Sequence, residues 1–390
     1  MALPLLRSTA VAVFFTTAAH AQSTPVRWTA GAEVAGYLDS DHVAVLTPSL
    51  RASARAPTSG WSADGSYLVD VVSAASVDVV SAASPRWTEV RHAGALAARY
   101  KPRALGVGVR GATSVEPDFV SWVAGLEGSA DLARKNAVLA LGYSFEHDVA
   151  GRKGTPFSVY ALRLDRHELS ARVELVLDRA TVFTPSFDLG LESGRQEKPY
   201  RWLPLFDAAT APRVPVGAPV EEVDALRLPA RVTERLPETR QRYALSGRLA
   251  HRFEQSTLVL WDRAYLDSWG LRSSSSDLRW TFELSRRWSL WPHLRFHVQS
   301  GVSFWERAYV GSVNTGSVSV PEFRSGDREL GPLWSATAGP GVRFDVGGAD
   351  PRSLSMTLEI EGSYTNFEDA LYIDHRWSGF GVAGFSVRFE

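Results

Sequence analysis

Eight side chains between residues 263 and 299 combine charge, hydrogen-bonding capacity and aromatic surface in a way that could act on a solute. Opposite charges on neighbouring strands can pair across a pore and set its selectivity. Aromatic faces beside polar groups also suit sugar rings. The same side chains could instead simply fill and stiffen a barrel. The candidate pore-lining residues are Arg263, Tyr265, Arg279, Glu283, Arg287, Arg295, His297 and Gln299.

The sequence predicts no metal, cofactor or catalytic residue. His293 and His297 share a parity, but on a strand they would lie about 13 Å apart, too far for one zinc ion. The chain has no cysteine, which excludes a disulfide framework and thiolate ligands. Serine, histidine and aspartate are all present, but no G-x-S-x-G elbow occurs. We therefore expect a protein that is not an enzyme.

The elements that would position these side chains are long β-strands. From Arg279 to Arg287 apolar and polar residues alternate strictly, and after a predicted break at Trp291-Pro292 the alternation resumes from Leu294 to Phe304. A period of two places successive side chains on opposite faces of a strand. Strands of about ten residues, apolar on one face, polar on the other and flanked by aromatics, are typical of transmembrane β-barrels.

The N-terminus and the composition agree with this interpretation. Residues 1–21 resemble a cleaved signal peptide ending in Ala-His-Ala, and they leave a mature barrel over residues 22–390. No later stretch is long and apolar enough for a transmembrane helix. Thirteen tryptophans suit interfacial girdles. A net charge of −1 gives no reason to expect nucleic-acid binding.

The alternation recurs along the chain in about 17 segments. Because both ends of such a barrel normally lie in the periplasm, the strand number should be even, either 16 or 18. The segments include 28–38, 43–55, 87–100, 103–113, 119–131, 136–146, 157–164, 169–177, 183–191, 242–253, 257–269, 334–346, 354–364 and 380–390. The resulting fold class is an all-β, closed antiparallel barrel in an outer membrane.

Three other stretches interrupt the pattern. Residues 194–237 hold seven prolines and alternate poorly, which predicts a long surface loop that partly roofs the pore. Residues 60–65 and 311–332 read as a turn and a second loop. The segment 70–76 is repeated at 78–84. That repeat is either a tandem duplication in a strand and turn or a lumenal constriction.

Several segments resemble a family of bacterial outer-membrane barrels known only as a domain of unknown function. The run R-A-Y-L-D-S-W-G-L at 263–271 resembles the family's R-Y-Y-x-D-D-W-G-I strand, and 295–305 is similar to its R-Y-Y-x-Q-S-A-A-x-F-Y strand. Gly194 with K-P-Y-R at 198–201 is similar to a G-x-L-S-x-P-Y-R turn, and 81–85 resembles S-G-A-S-P. The resemblance implies the barrel fold and no established chemistry.

A barrel of this size leaves an aqueous channel unless it is plugged. We therefore expect a passage across the outer membrane, embedded in its lipid and holding a hydrophilic polymer or solute in the lumen. By analogy with other large barrels, the polymer would be an exported polysaccharide handed over by a periplasmic export protein. The alternatives are a general or solute-selective porin, and an outer-membrane hydrolase with a lumen or rim active site.

Overall fold

The computed structural model describes residues 26–74, 87–314, 317–346 and 353–389. The predicted signal peptide (1–21) and most of the repeat at 70–84, with the 81–85 resemblance, lie outside the described residues. No helix among the described residues is long and apolar enough to cross a membrane.

Sixteen antiparallel strands form one closed barrel, in which each strand pairs with its neighbours and the first pairs with the last. Closure leaves no sheet edge, so the backbone polar groups of the wall are paired within it. The predicted fold class, a closed antiparallel barrel of 16 or 18 strands, is confirmed, and the strand number is 16. The barrel strands are β1 (Arg27–Asp39), β2 (Ala44–Ala56), β3 (Trp61–Ala74), β4 (Trp87–Tyr100), β5 (Leu105–Glu116), β6 (Phe119–Leu132), β7 (Ala137–Ala150), β8 (Leu162–Val176), β9 (Thr181–Gly194), β12 (Thr239–Arg252), β13 (Ser256–Asp267), β14 (Arg272–Glu283), β15 (Trp288–Gln299), β18 (Leu333–Val346), β19 (Ser353–Phe367) and β20 (His375–Phe389).

Short elements occupy the two longest connections. Residues 195–238 contain β10 (Trp202–Pro204), the helix α1 (Val220–Leu226) and β11 (Arg231–Thr233). Residues 300–332 contain β16 (Ser312–Asn314) and β17 (Ser317–Ser319). β1 begins and β20 ends at one end of the barrel. Both long connections lie at the other end. Long loops mark the extracellular end of such barrels and short turns the periplasmic end.

The outer face of the wall is mainly apolar. Leu50, Leu96, Leu245 and Ile360 are more than half exposed, and each lies on the outward parity of its strand. Exposed aromatic side chains collect near both rims, as expected where amphipathic rings meet the membrane–water interface. They include Trp28, Trp61, Trp280 and Trp288 at the short-turn end and Trp122 and Trp377 at the long-loop end.

The predicted break at Trp291-Pro292 is wrong, because β15 runs through both residues and the turn before it spans 284–287. Pro292 faces Pro340 in an uninterrupted β15–β18 register. The ladder gaps lie on the other sides, between β14 and β15 beside Pro292 and between β18 and β19 beside Pro340. A proline has no N–H to donate, and at each proline the missing hydrogen bond falls on the side where the ladder has its gap. The ladder on the other side continues, so the strand is not broken.

Two other predicted boundaries differ from the structure. Residues 61–65 belong to β3 rather than to a turn, and the segments 157–164 and 169–177 give way to one strand, β8. In both places small or polar residues interrupt the apolar pattern without interrupting the hydrogen-bonded ladder. In this barrel, the ends of a strand are therefore determined by hydrogen bonding to the neighbouring strands more than by the local amino-acid composition.

One outward carboxylate lies at mid-height of the wall. Asp262 lies near the middle of β13 on the outward parity, between Gly247 of β12 and Ser276 of β14, whose hydroxyl donates to it. A charged group at mid-height costs free energy against lipid. We expect Asp262→Leu to raise the free energy of unfolding in bilayers by about 1–2 kcal/mol, measured by urea titration in liposomes.

Asp64→Leu is the matched control, because Asp64 lies on the inward face of β3, 3.7 Å from Arg55. An inward carboxylate meets water rather than lipid, so its removal should bring no gain in stability. Equal gains from both variants would show that the outward position of Asp262 has no energetic effect.

Candidate functional site

The candidate site is the lumen together with the extracellular mouth. Seven of the eight predicted pore-lining residues lie on the inward parity of three adjacent strands: Arg263 and Tyr265 on β13, Arg279 and Glu283 on β14, and Arg295, His297 and Gln299 on β15. Arg287 lies in the turn between β14 and β15 at the short-turn rim. The alternation placed it on the inward face, but β14 ends at Glu283, four residues before Arg287.

Several of the inward arginines are paired with carboxylates on other strands. Arg263 lies 3.5 Å from Asp188 of β9, and Arg279 lies 2.9 Å from Glu359 of β19. These pairs reach across one or more intervening strands, so they cross-link the wall from inside. Arg99–Glu127 and Arg252–Glu283 also skip one strand, whereas Arg242–Glu192 at 2.9 Å, Arg166–Asp148 at 2.7 Å and Arg91–Asp70 join neighbouring strands.

A cavity of about 800 Å³ occupies the lumen. Side chains and backbone from β2 to β9, β12 and β13 line it, including Arg110, Arg172, Arg263 and Tyr265. No residue of β14 to β20 contributes, so the open space lies against one side of the wall. The chamber is polar and wide enough for a sugar-sized solute.

The predicted histidines have different partners. The Ser275 hydroxyl lies 2.7 Å from Nδ1 of His297, and Nε2 of His297 lies 3.2 Å from the Gln299 side-chain oxygen. The Gln299 amide donates to the carbonyls of Glu329 and Gly331 at 2.8 Å. This hydrogen-bonded chain links the wall to the loop above it. His293 pairs instead with Asp277 and Glu361.

The two long connections fold together into a compact cap, defined here as residues 195–238 and 300–332. Its core contains the most deeply buried apolar side chains of the described residues other than Phe367. One cluster forms around Phe206 and a second joins Leu203 and Leu205 to Tyr309. The first cluster comprises Phe206, Ala211, Val214, Ala218 and Val223, with Leu371 and Tyr372 packed against it.

A buried ionic centre holds the two halves of the cap together. The side chain of Glu234 has no exposed surface, and it accepts hydrogen bonds from the Ser325 hydroxyl at 2.6 Å and the Lys198 backbone N–H at 2.9 Å. Arg201 lies 3.3 Å from Glu234 and 2.8 Å from Asp327. Glu234 and Arg201 belong to the first half and Ser325 and Asp327 to the second, so this network fixes their relative position.

The cap is attached to the rim at several separated points. Arg328 pairs with Asp41 in the β1–β2 turn, and the Tyr200 hydroxyl donates to Asp118 in the β5–β6 turn. The Trp305 indole donates to the carbonyl of Asp369 in the β19–β20 loop at 2.9 Å. The β19–β20 loop and the β1–β2 turn are neighbours on the rim and the β5–β6 turn lies further round it, so the cap extends over the mouth. The predicted roof is therefore a folded structure rather than an irregular loop.

The segment 263–271 organises another attachment. Asp267 accepts from the backbone N–H groups of Trp269 and Leu271 at 2.9 and 3.1 Å, which closes the β13–β14 turn. Gly270 supplies the left-handed backbone that this turn needs, with φ of +90°. Trp269 is thereby directed into a buried cluster with Leu236 of the cap. The Asp, Trp and Gly of this motif thus position the cap.

Burial in the cap raises the pKa of Tyr309 to about 12. Its hydroxyl donates to the Phe304 carbonyl at 3.0 Å and accepts from the Ser325 N–H at 2.9 Å. Since the folded pKa lies above the unfolded value of about 10, this group stabilises the cap fully below pH 10 and its contribution is lost as pH rises towards 12. We expect protease protection of the cap to fall over that interval.

Tyr309→Phe should show weaker protection at neutral pH and a smaller further loss between pH 10 and 12. Burial also raises the pKa of Tyr200 to about 12, so the Tyr200→Phe, Tyr309→Phe double variant should be the flattest of the series. An unchanged alkaline transition in the double variant would contradict the assignment.

Sequence reasoning missed the cap core and the Glu234 centre. The apolar residues of 203–206, 214 and 223 were a signal that this proline-rich segment buries a core of its own. Their partners lie about a hundred residues away in the second loop, and nothing in the local pattern joins the two.

Comparisons with known structures return large barrels. The chain is similar to a bacterial polysaccharide outer membrane secretin at 11% identity and a TM-score of 0.45, over 93% of this chain and 98% of that one. It is similar to OccK5 (OpdH) of Pseudomonas aeruginosa at 6% identity and a TM-score of 0.43, over 94% and 98%. The siderophore receptor PirA of Acinetobacter baumannii matches at 12% identity and a TM-score of 0.42, over 87% and 53%.

The chain spans about half the length of PirA of Acinetobacter baumannii and of the ferric enterobactin receptor PfeA. No curated protein matches it. The closed wall, its apolar exterior and its two aromatic rims are those of a barrel of the Gram-negative outer membrane. The model of one family matches residues 16–361, nearly the whole wall and all of the cap. The chain therefore belongs to the family described as Protein of unknown function (DUF3570).

Proposed function

We propose that this barrel is a gated passage for a hydrophilic and largely uncharged polymer, namely an exported polysaccharide delivered by a periplasmic partner protein. The observation that carries the proposal is the pairing of inward charges. A lumen in which many arginines are compensated by carboxylates offers hydrogen-bonding groups around its whole wall and has a weaker net electrostatic field. Such a surface suits neutral hydroxyl-rich chains better than ions.

The cap supplies the gate in this proposal. It extends over the mouth, yet it is held to the rim by polar contacts and small apolar clusters rather than by strand pairing with the wall. A polymer leaving from the periplasmic side would displace it outwards, whereas a solute arriving from outside meets a closed surface. This direction agrees with export.

Gene deletion tests the export role. We expect loss of surface polysaccharide in the deletion strain and its return with the intact gene. Normal polysaccharide secretion in the deletion strain would exclude this role.

A solute-selective porin is the second candidate, and the 800 Å³ chamber favours it because that volume matches a small solute. Swelling of liposomes that contain the purified barrel, with sugars of increasing size, separates the two. Rapid swelling with monosaccharides through the intact protein would favour the porin, whereas swelling only after the cap is opened would favour the gated passage.

We assign the Ser275–His297 pair to cap attachment rather than to hydrolysis. Ser275 is 7% exposed, and the third member of the chain is the amide of Gln299, which is occupied by the cap carbonyls. Esterase activity of the purified protein that is lost in Ser275→Ala would overturn this assignment.

A further inference from the structure

Three potential metal ligands meet on the inner wall of the barrel. His293 of β15, with 9% exposure, and Glu359 and Glu361 of β19 each bring one ligand atom within 4.8 Å of the others. We propose that these residues bind a divalent transition-metal cation, with Zn²⁺ as the best fit. A mixed imidazole and carboxylate set suits zinc, whereas calcium and magnesium prefer oxygen ligands alone.

The intervening strand is shaped to let the ligands meet. β18 lies between β15 and β19, and it places Gly339 opposite His293. A Cβ atom on Gly339 would lie 2.0 Å from the Ile360 carbonyl oxygen and 2.7 Å from the Glu361 Cα. The absence of a side chain there allows the imidazole to reach over β18 to the carboxylate of Glu361.

A second carboxylate orients the imidazole. Nε2 of His293 lies 2.8 Å from a carboxylate oxygen of Asp277 on β14, and Nδ1 faces Glu361. Metal-binding histidines commonly donate their remote ring N–H to a carboxylate in this way, and that bond fixes the tautomer and makes the ligating nitrogen more basic. His297 lies four residues later in the chain on the same face, and it has serine and glutamine partners instead.

An unused donor lies beside the cluster. The Trp291 indole N–H is buried and has no acceptor among the described residues. Its ring lies across Gly341, where a Cβ would be 2.2 Å from Nε1, and Gly341 is the strand partner of Glu359. A zinc ion with three protein ligands keeps a water at its fourth position. The indole is placed to donate to such a water.

The charges agree with a divalent ion. Asp277, Glu359 and Glu361 bring three negative charges, and the ion pairs of this cluster supply one arginine, Arg279, 2.9 Å from Glu359. With a neutral imidazole the remaining charge is matched by one divalent cation. Once bound, the ion would join β15 to β19 across β18.

Zinc titration of the tag-free, folded barrel in detergent tests the site by calorimetry. We expect saturable binding of zinc to the wild type, and loss of that binding in His293→Ala and in Glu361→Gln. Asp277→Asn should weaken binding about 10- to 100-fold, as removal of an orienting carboxylate does. His297→Ala is the matched control on the same strand face, and it should bind like the wild type.

X-ray absorption of the zinc-loaded wild type gives a second readout that does not depend on any variant. A shell of nitrogen and oxygen neighbours at about 2.0–2.2 Å is expected. Absence of saturable zinc binding in the wild type, or equal losses in His293→Ala and His297→Ala, would overturn the proposal. Because Glu361→Gln preserves side-chain volume, it keeps the test decisive if His293→Ala does not fold.

Discussion

Removal of the first half of the cap should convert a closed barrel into a permanently open pore. Gly194 and Glu238 face each other at the ends of β9 and β12, where the Gly194 N–H donates to the Glu238 carbonyl at 2.8 Å. The next pair inwards, Ser193 and Thr239, is in register. Residues 195–237 can therefore be replaced by Asn-Gly, because a two-residue loop closes a hairpin of this geometry.

The expected result is a steady single-channel conductance in planar bilayers, several-fold or more above that of the intact protein. A 16-strand wall encloses an aqueous channel when nothing fills it, and the rest of the wall keeps its ladder. Removal also takes away Glu234 and Phe206, so the second loop loses its core and its ionic partner. Unchanged conductance in the deletion variant would show that the cap does not close the pore.

A point variant tests whether the cap must be attached to the rim, and not only be present, to close the pore. Arg328→Gln removes the charged attachment to Asp41 at the rim while the cap core remains. We expect brief openings rather than a permanent one. Arg286→Gln changes the same charge in an exposed turn at the opposite end of the barrel, and it should leave the recordings unchanged.

The sequence alone was sufficient for the wall because alternation reports directly on the two faces of a strand. Arg263, Arg279 and Arg295 each point inwards as their parity required. Pro292 misled the prediction, since an in-strand proline ends pairing only towards one neighbour when the opposite ladder is continuous. Arg287 was wrongly placed on a strand because the turn at 284–287 continues the alternation of apolar and polar residues seen in β14.

The cap could not be predicted because its stability is not local. Phe206 packs against Val214 and Val223 in its own loop, but Tyr309 and Ser325 come from the other one. The proposed metal site could not be predicted for the same reason, because His293 and Glu361 lie on different strands and meet across a glycine of a third strand. Proline content correctly indicated irregular backbone, and it gave no information on whether that backbone folds.

The largest effect of a single substitution on the cap is expected from Glu234→Ala. The side chain is fully buried, and its removal leaves the Ser325 hydroxyl and the Lys198 N–H without their acceptor. Arg201 loses one of its two carboxylates. Breaking a buried pair by deleting one partner costs about 3–5 kcal/mol, which should be enough to unfold the cap while the wall persists.

Glu322→Ala is the matched control for this substitution. It removes the same side chain from the same cap, but Glu322 is 68% exposed and lies 3.8 Å from Arg235, so the loss should stay below about 1 kcal/mol. Hydrogen exchange and limited proteolysis of residues 195–238 measure both variants. Since two halves from distant parts of the sequence meet at Glu234, rapid exchange should spread through both loops in Glu234→Ala. Exchange confined to the residues around position 234 would mean that the two halves fold independently.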